Sequence, residues 1–92
     1  MKVISTWAVK DGAIEEAVKR FLAGEAAPIP GITLLGRWHA VDLSRGWSLY
    51  ETNSPALLYE GAAKWIELLD IESTLVIEDA EAGSAMAKTF KN

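Results

Sequence analysis

The sequence has no cysteine. No disulfide can reinforce the fold, and no thiolate can act as nucleophile or metal ligand. It has one histidine, His39. A haem axial ligand would have to be that residue, and a zinc or non-haem iron site normally takes three protein ligands, so no metal and no cofactor are expected. No Gly-x-Ser-x-Gly surrounds any serine, and the glycines at 24, 31, 36 and 46 never form Gly-x-Gly-x-x-Gly. A serine-hydrolase elbow and a dinucleotide loop are therefore both missing. Basic residues are few, 9 against 13 acidic for a net charge of −4. A phosphate-backbone partner wants a basic patch, so no nucleic acid is expected. No apolar run approaches the ~20 residues that span a bilayer. The opening MKVISTW also lacks the longer apolar stretch and cleavage site of a secretory signal. The expectation is a soluble, cytoplasmic protein with no membrane partner.

What the chain does have is apolar surface. Half of its 92 residues are hydrophobic, and four are tryptophan. A single domain of this size buries only about 60–65% of its unfolded surface. Pairing with a second copy is the simplest way to cover the surplus, so a homodimer is expected.

Lys2–Trp7 is rich in β-branched and aromatic residues and reads as a strand. Its faces are Val3/Ser5/Trp7 and Ile4/Thr6, and neither is charged beyond Lys2, the pattern of a strand covered on both sides. Asp11-Gly12 then marks a turn, with Asp11 as the expected N-cap of a helix. Ile14, Ala17, Val18, Phe21 and Leu22 form its apolar stripe, and Gly24 is a natural terminator. Pro28, Pro30 and Gly31 make a loop.

Two apolar runs follow around Asp42-Leu43-Ser44-Arg45-Gly46 and read as a β-hairpin. The first strand, about 32–39, has faces Ile32/Leu34/Gly36/Trp38 and Thr33/Leu35/Arg37/His39. The second, about 47–51, has faces Trp47/Leu49/Glu51 and Ser48/Tyr50. Ser54 as N-cap and Pro55 at the first helical position open a second helix expected to run to about Asp70. Gly61 sits inside it, at a cost of about 1 kcal/mol against alanine. Ile71–Ile77 reads as a strand. Residues 78–92 place acids first and lysines last, matching the dipole of a short C-terminal helix. The order is β-α-β-β-α-β, the ferredoxin-like split βαβ pattern of an α+β domain with a four-stranded antiparallel sheet.

Several blocks carry a resemblance. Thr6-Trp7, Leu34-Leu35-Gly36-Arg37-Trp38-His39, Tyr50-Glu51-Thr52 and Trp65 with Leu68-Leu69-Asp70 resemble a family of small uncharacterised domains in the dimeric α/β-barrel superfamily. The resemblance covers about 1–79, taken as the domain, with 80–92 as a tail. It implies a homodimer whose two sheets pack face to face, with the two helices on the other face of each sheet. It also implies a cavity between sheet and helices. The superfamily includes cofactor-independent monooxygenases, haem-degrading and dye-decolorising enzymes, and isomerases.

Arg37 and His39 lie two residues apart on one strand face, about 6.5–7 Å along the strand. An imidazole and a guanidinium beside a phenol, Tyr50, suit an anionic or carbonyl-bearing ligand, and His39 can move protons near neutral pH. They are the candidate catalytic pair. The competing expectation leaves His39 partly exposed at the hairpin end and pairs Arg37 with Glu51 or Glu72. Candidate binding residues are Thr6, Trp38, Tyr50 and Trp65; Ser5 or Thr6 must face the interior and find a hydrogen bond, while large aromatics also fill cores and interfaces. Two functions remain open. One is a homodimeric module holding a small apolar or weakly acidic molecule. The alternative is a cofactor-independent monooxygenase- or isomerase-like enzyme using Arg37 and His39.

Overall fold

The computed structural model describes residues 1–90. Four strands and three helices follow in the order β1 (Lys2–Val9), α1 (Ile14–Leu22), β2 (Thr33–His39), β3 (Arg45–Glu51), α2 (Pro55–Ala63), β4 (Leu69–Val76) and α3 (Asp79–Thr89). All pairings are antiparallel, and the sheet order is β2-β3-β1-β4. The expected α+β, ferredoxin-like arrangement is present. No helix among the described residues is long and apolar enough to cross a membrane.

β1 is central, in register with β3 on one side and β4 on the other. Alternation gives Val3, Ser5, Trp7 and Val9 to one face, and Ala17, Phe21, Leu58 and Ala62 of α1 and α2 lie over that face. The opposite face carries Ile4, Thr6, Trp38, Trp47 and Leu49, and no helix among the described residues covers it. Ile4 is 39% exposed and Trp38 58%. The expectation that β1 is covered on both sides is therefore met on one side only by this chain itself.

The termini of α1 show which local signals decide. Its N-cap is Ala13, which makes no side-chain cap bond. The expected cap, Asp11, lies instead in a tight turn closed by the Ala13 N–H on the Lys10 carbonyl, with Gly12 at φ 80°. At the other end Gly24 has φ 84°. Its N–H bonds the Phe21 carbonyl, and the Glu25 N–H bonds Arg20. This is the Schellman closure that glycine permits without strain.

Two further expectations are corrected. The hairpin strand β2 carries a bulge between Leu34 and Gly36. Leu34 opposes Tyr50, and Gly36 opposes Leu49. The extra residue reverses the alternation, so Leu34 shares a face with Arg37 and His39 and parts from Trp38. Second, α2 ends at Ala63, not near Asp70. Arg20 Nη1 donates to the Lys64 carbonyl (3.0 Å) and Lys10 Nζ to Ile66 (2.8 Å). These cations satisfy carbonyls that a longer helix would have bonded, while Leu69 is drawn into the sheet opposite Val9. Ser54 is the N-cap of α2 as expected, with Pro55 after it, and makes no side-chain cap bond. The buried Thr52 instead braces the turn before the helix: its Oγ1 accepts the Ser54 N–H (3.1 Å) and donates to the Gly31 carbonyl (2.9 Å).

α3 follows β4 with no buried residue. Lys2 Nζ donates to Glu78 Oε1 (2.7 Å) at its start. That bond holds the Lys2 ammonium above the ordinary lysine range and the Glu78 carboxyl below the ordinary carboxylate range. The radius of gyration is 15.8 Å, against about 12 Å for a compact chain of this length. The expected C-terminal helix is present; residues 91–92 lie outside the described part.

Two glycines give opposite expectations. A Cβ on buried Gly46 would overlap the Trp7 indole, whereas one on Gly61 meets nothing within 4 Å. Gly46→Ala should lower unfolding stability by about 1–3 kcal/mol through overpacking. Gly61→Ala should raise it by about 0.5–1 kcal/mol through helix propensity. Urea unfolding of both variants checks the pair.

Candidate functional site

The covered sheet face and helices α1 and α2 do not close on each other. Between them lies a cavity of about 440 Å³, within the range of small-molecule sites. Its walls are mainly apolar: Trp7, Ile14, Val18, Phe21, Leu58, Trp65 and Ile71 contribute. Among the described residues the buried hydrophobic ones are Val3, Ala13, Ala17 and Leu69, so much of the space a core would occupy is this cavity.

Arg37 and Tyr50 both line it. Arg37 Nε donates to Ser48 Oγ (3.2 Å). Its Nη2 donates to the Ala26 carbonyl (2.9 Å) and to Tyr50 Oη (3.3 Å). All three acceptors are neutral. Among the described residues Arg37 has no carboxylate within ion-pair distance, which corrects the expected pairing with Glu51 or Glu72. Of the five guanidinium N–H donors, the pair on Nη1 is left for something else.

His39 lines the cavity on the same strand face. Its ring stands edge-to-face against Trp7 (centroids 5.5 Å) and Phe21 (5.2 Å). The side chain is also exposed, so the expected partial exposure at the hairpin end and the expected place beside Arg37 describe the same residue.

Trp65 is brought to the cavity as expected, but from the turn after α2. Thr6 borders it too. Alternation turns the Thr6 side chain to the opposite face, beside Trp47 and Glu72, so its contribution is backbone. Trp38 is not brought to it: opposite Trp47, it sits on the uncovered face. Of the candidate set, Arg37, His39, Tyr50 and Trp65 gather around one space.

Sequence reasoning overlooked two features. The Ala26 carbonyl carries no side-chain signature. Ser73 is on the cavity face, and its Oγ lies 2.7 Å from Ser5 Oγ. The adjacent polar pair Ser73-Thr74 hides the alternation that would have exposed its role; Ser5 was visible as a polar residue in a central strand.

The model of a family described as a domain of unknown function, DUF3303, matches residues 1–90, and the chain belongs to that family. The match includes most of the segment beyond residue 79. No curated protein matches the sequence. Among solved structures, the chain is similar to Rv0793 from Mycobacterium tuberculosis, with 16% identity, a TM-score of 0.49, and 86% of this chain and 96% of that one covered. It is also similar to a Deinococcus radiodurans protein whose proposed assignment is antibiotic biosynthesis monooxygenase. There the identity is 9% and the TM-score 0.49, with 85% and 94% covered. At these values neither likeness bears on chemistry.

The hydrogen bonds of Arg37 differ in how replaceable they are. Ser48 is 1% exposed, so Ser48→Ala should strand the Nε–H and cost about 1–3 kcal/mol. Tyr50 is half-buried, and water can replace its hydroxyl, so Tyr50→Phe should cost less than about 1 kcal/mol. Chemical denaturation that ranks the two the other way would contradict the geometry.

Proposed function

We propose that this member of the DUF3303 family is a homodimeric binding protein for a small, mainly apolar, weakly acidic molecule held between the sheet and helices α1 and α2. The observation that carries this reading is Arg37. A guanidinium beside apolar walls is stable when a counter-ion meets it, and here its partners are neutral. An acid group on the ligand supplies the missing charge, with Nη1 donating to it and the Tyr50 hydroxyl close by. The aromatic and aliphatic walls take the remainder of the molecule.

The uncovered sheet face supports the homodimer. Ile4, Trp38 and Trp47 form an exposed apolar surface on one face of the sheet, at 39%, 58% and 37% exposure. A face of this kind marks an association surface. A second copy presents the same face, so the two sheets can cover each other about a two-fold axis. The projecting α3 favours the same partner: it has no buried residue on its own chain.

A second reading is an enzyme of the cofactor-independent monooxygenase or isomerase kind. It is favoured by His39, whose ring reaches the cavity on the same face as Arg37. There Arg37 would hold the substrate's anionic form and His39 would move a proton. His39→Ala separates the two: a binding protein keeps its affinity and has no turnover to lose.

Isothermal titration at neutral pH tests the first reading with two probes, 3-phenylpropanoate and the neutral 3-phenylpropan-1-ol. The acid should bind at least about tenfold tighter, which is about 1.4 kcal/mol. Arg37→Gln should remove that preference and leave the alcohol unchanged. Equal affinity of acid and alcohol for the wild type, or no binding of either, overturns it. For the assembly, sedimentation at low micromolar concentration should give a dimer, and Trp47→Glu should give a folded monomer. A wild-type monomer contradicts the second copy.

A further inference from the structure

The cavity-facing side of the sheet carries one polar row. Ser73 on β4 opposes Ser5 on β1, Ser5 opposes Ser48 on β3, and Ser48 opposes Arg37 on β2. Four strands thus place four polar residues in line. The neighbouring rows on that face are largely apolar, with Val3 and Leu75 on one side and Trp7 and Ile71 on the other. A polar row beneath apolar helices is costly unless its groups are bonded.

The bonds divide the row into two ends. At one end Ser48 Oγ accepts from Arg37 Nε. At the other, Ser5 and Ser73 share a hydrogen bond at 2.7 Å. Two hydroxyls that share one hydrogen bond still hold one free O–H and several lone pairs. Ser5 is only 9% exposed, Ser73 beside it is exposed, and both serines line the cavity. This end can therefore both donate to and accept from a guest. Ser5 lies two strands from Arg37, about 9.6 Å between strand axes. One six-membered ring with a short chain bridges such a gap between an acid group and a second polar group.

We propose that the ligand is a bifunctional acid: its carboxylate or comparable anionic group meets Arg37, and a hydroxyl or carbonyl at its far end meets the Ser5–Ser73 pair. This rests on the acid-binding reading above and adds the second contact to it. Ser5 and Ser73 become specificity-determining residues, because a guest lacking the far polar group covers the buried Ser5 hydroxyl without bonding the pair.

The test compares 3-(4-hydroxyphenyl)propanoate with 3-phenylpropanoate by isothermal titration against the wild type, Ser5→Ala, Ser73→Ala and the double variant. The hydroxylated acid should bind the wild type at least about tenfold tighter. In the double variant the two acids should bind within about twofold of each other. The double variant removes both members of the bonded pair, so its fold should be preserved; a matching circular dichroism spectrum and melting temperature check this. Equal binding of both acids to the wild type overturns the proposal while leaving acid binding at Arg37 intact. A hydroxyl preference that survives in the double variant also overturns it. If neither acid binds the wild type, the acid-binding reading fails and this inference falls with it.

Discussion

The register of β1 between β3 and β4 fixes everything that follows. Ser5 opposes both Ser48 and Ser73, and Trp7 opposes Gly46. A slip of one residue would exchange the two faces of β1. Ser5 would leave the cavity, and Ile4 and Thr6 would enter it. The Trp7 indole packs where a Cβ at position 46 would stand, so glycine at this position and tryptophan opposite it hold the pairing in place. The same register gives Ile4 and Trp47 to the other face, where no helix among the described residues reaches. One pairing therefore produces both the cavity and the apolar surface behind it.

Neither surface is satisfied by the chain alone. The buried hydrophobic set is small, and the two packed helices stand over a cavity in place of a filled core. A guest binding only the folded state adds stability in proportion to its concentration, and a second copy covering the tryptophan face does the same. Glu25, Arg45 and Lys64 also line the cavity, and Arg37 is bonded there to neutral acceptors. Its bond to the Ala26 carbonyl also ties the loop between α1 and β2 to the sheet, and the Thr52 bond to Gly31 ties the same loop at its other end. Loop, strand and guanidinium thus form one cavity wall.

Much of this was legible in the sequence, where local chemistry decides locally. The apolar stripe of α1, the glycine after it, and Ser54-Pro55 at the start of α2 each read correctly because the deciding residues are neighbours in sequence. What was hidden depends on distant residues. Arg20 and Lys10 take the carbonyls that end α2 early, and neither lies near Lys64 in the chain. The bulge at Leu34–Gly36 appears only when β2 is paired with β3, and it decides which hairpin residues share the face of Arg37. Arg37, His39, Tyr50 and Trp65 were singled out from residue type and spacing, and all four line the cavity. Trp38 was placed with them by its neighbours in sequence, and strand alternation puts it on the opposite face. Ser73 was missed because its place beside Ser5 exists only across the β1–β4 pairing.

The four tryptophans make the central claim measurable in one spectrum. Trp7 and Trp65 line the cavity, while Trp38 and Trp47 sit on the opposite face. Their indole N–H resonances can be followed by proton–nitrogen correlation while 3-phenylpropanoate is added to the protein. Saturable shifts of Trp7 and Trp65, with Trp38 and Trp47 unmoved, are the predicted result. Shifts confined to Trp38 and Trp47 would place the acid on the other face and contradict the account.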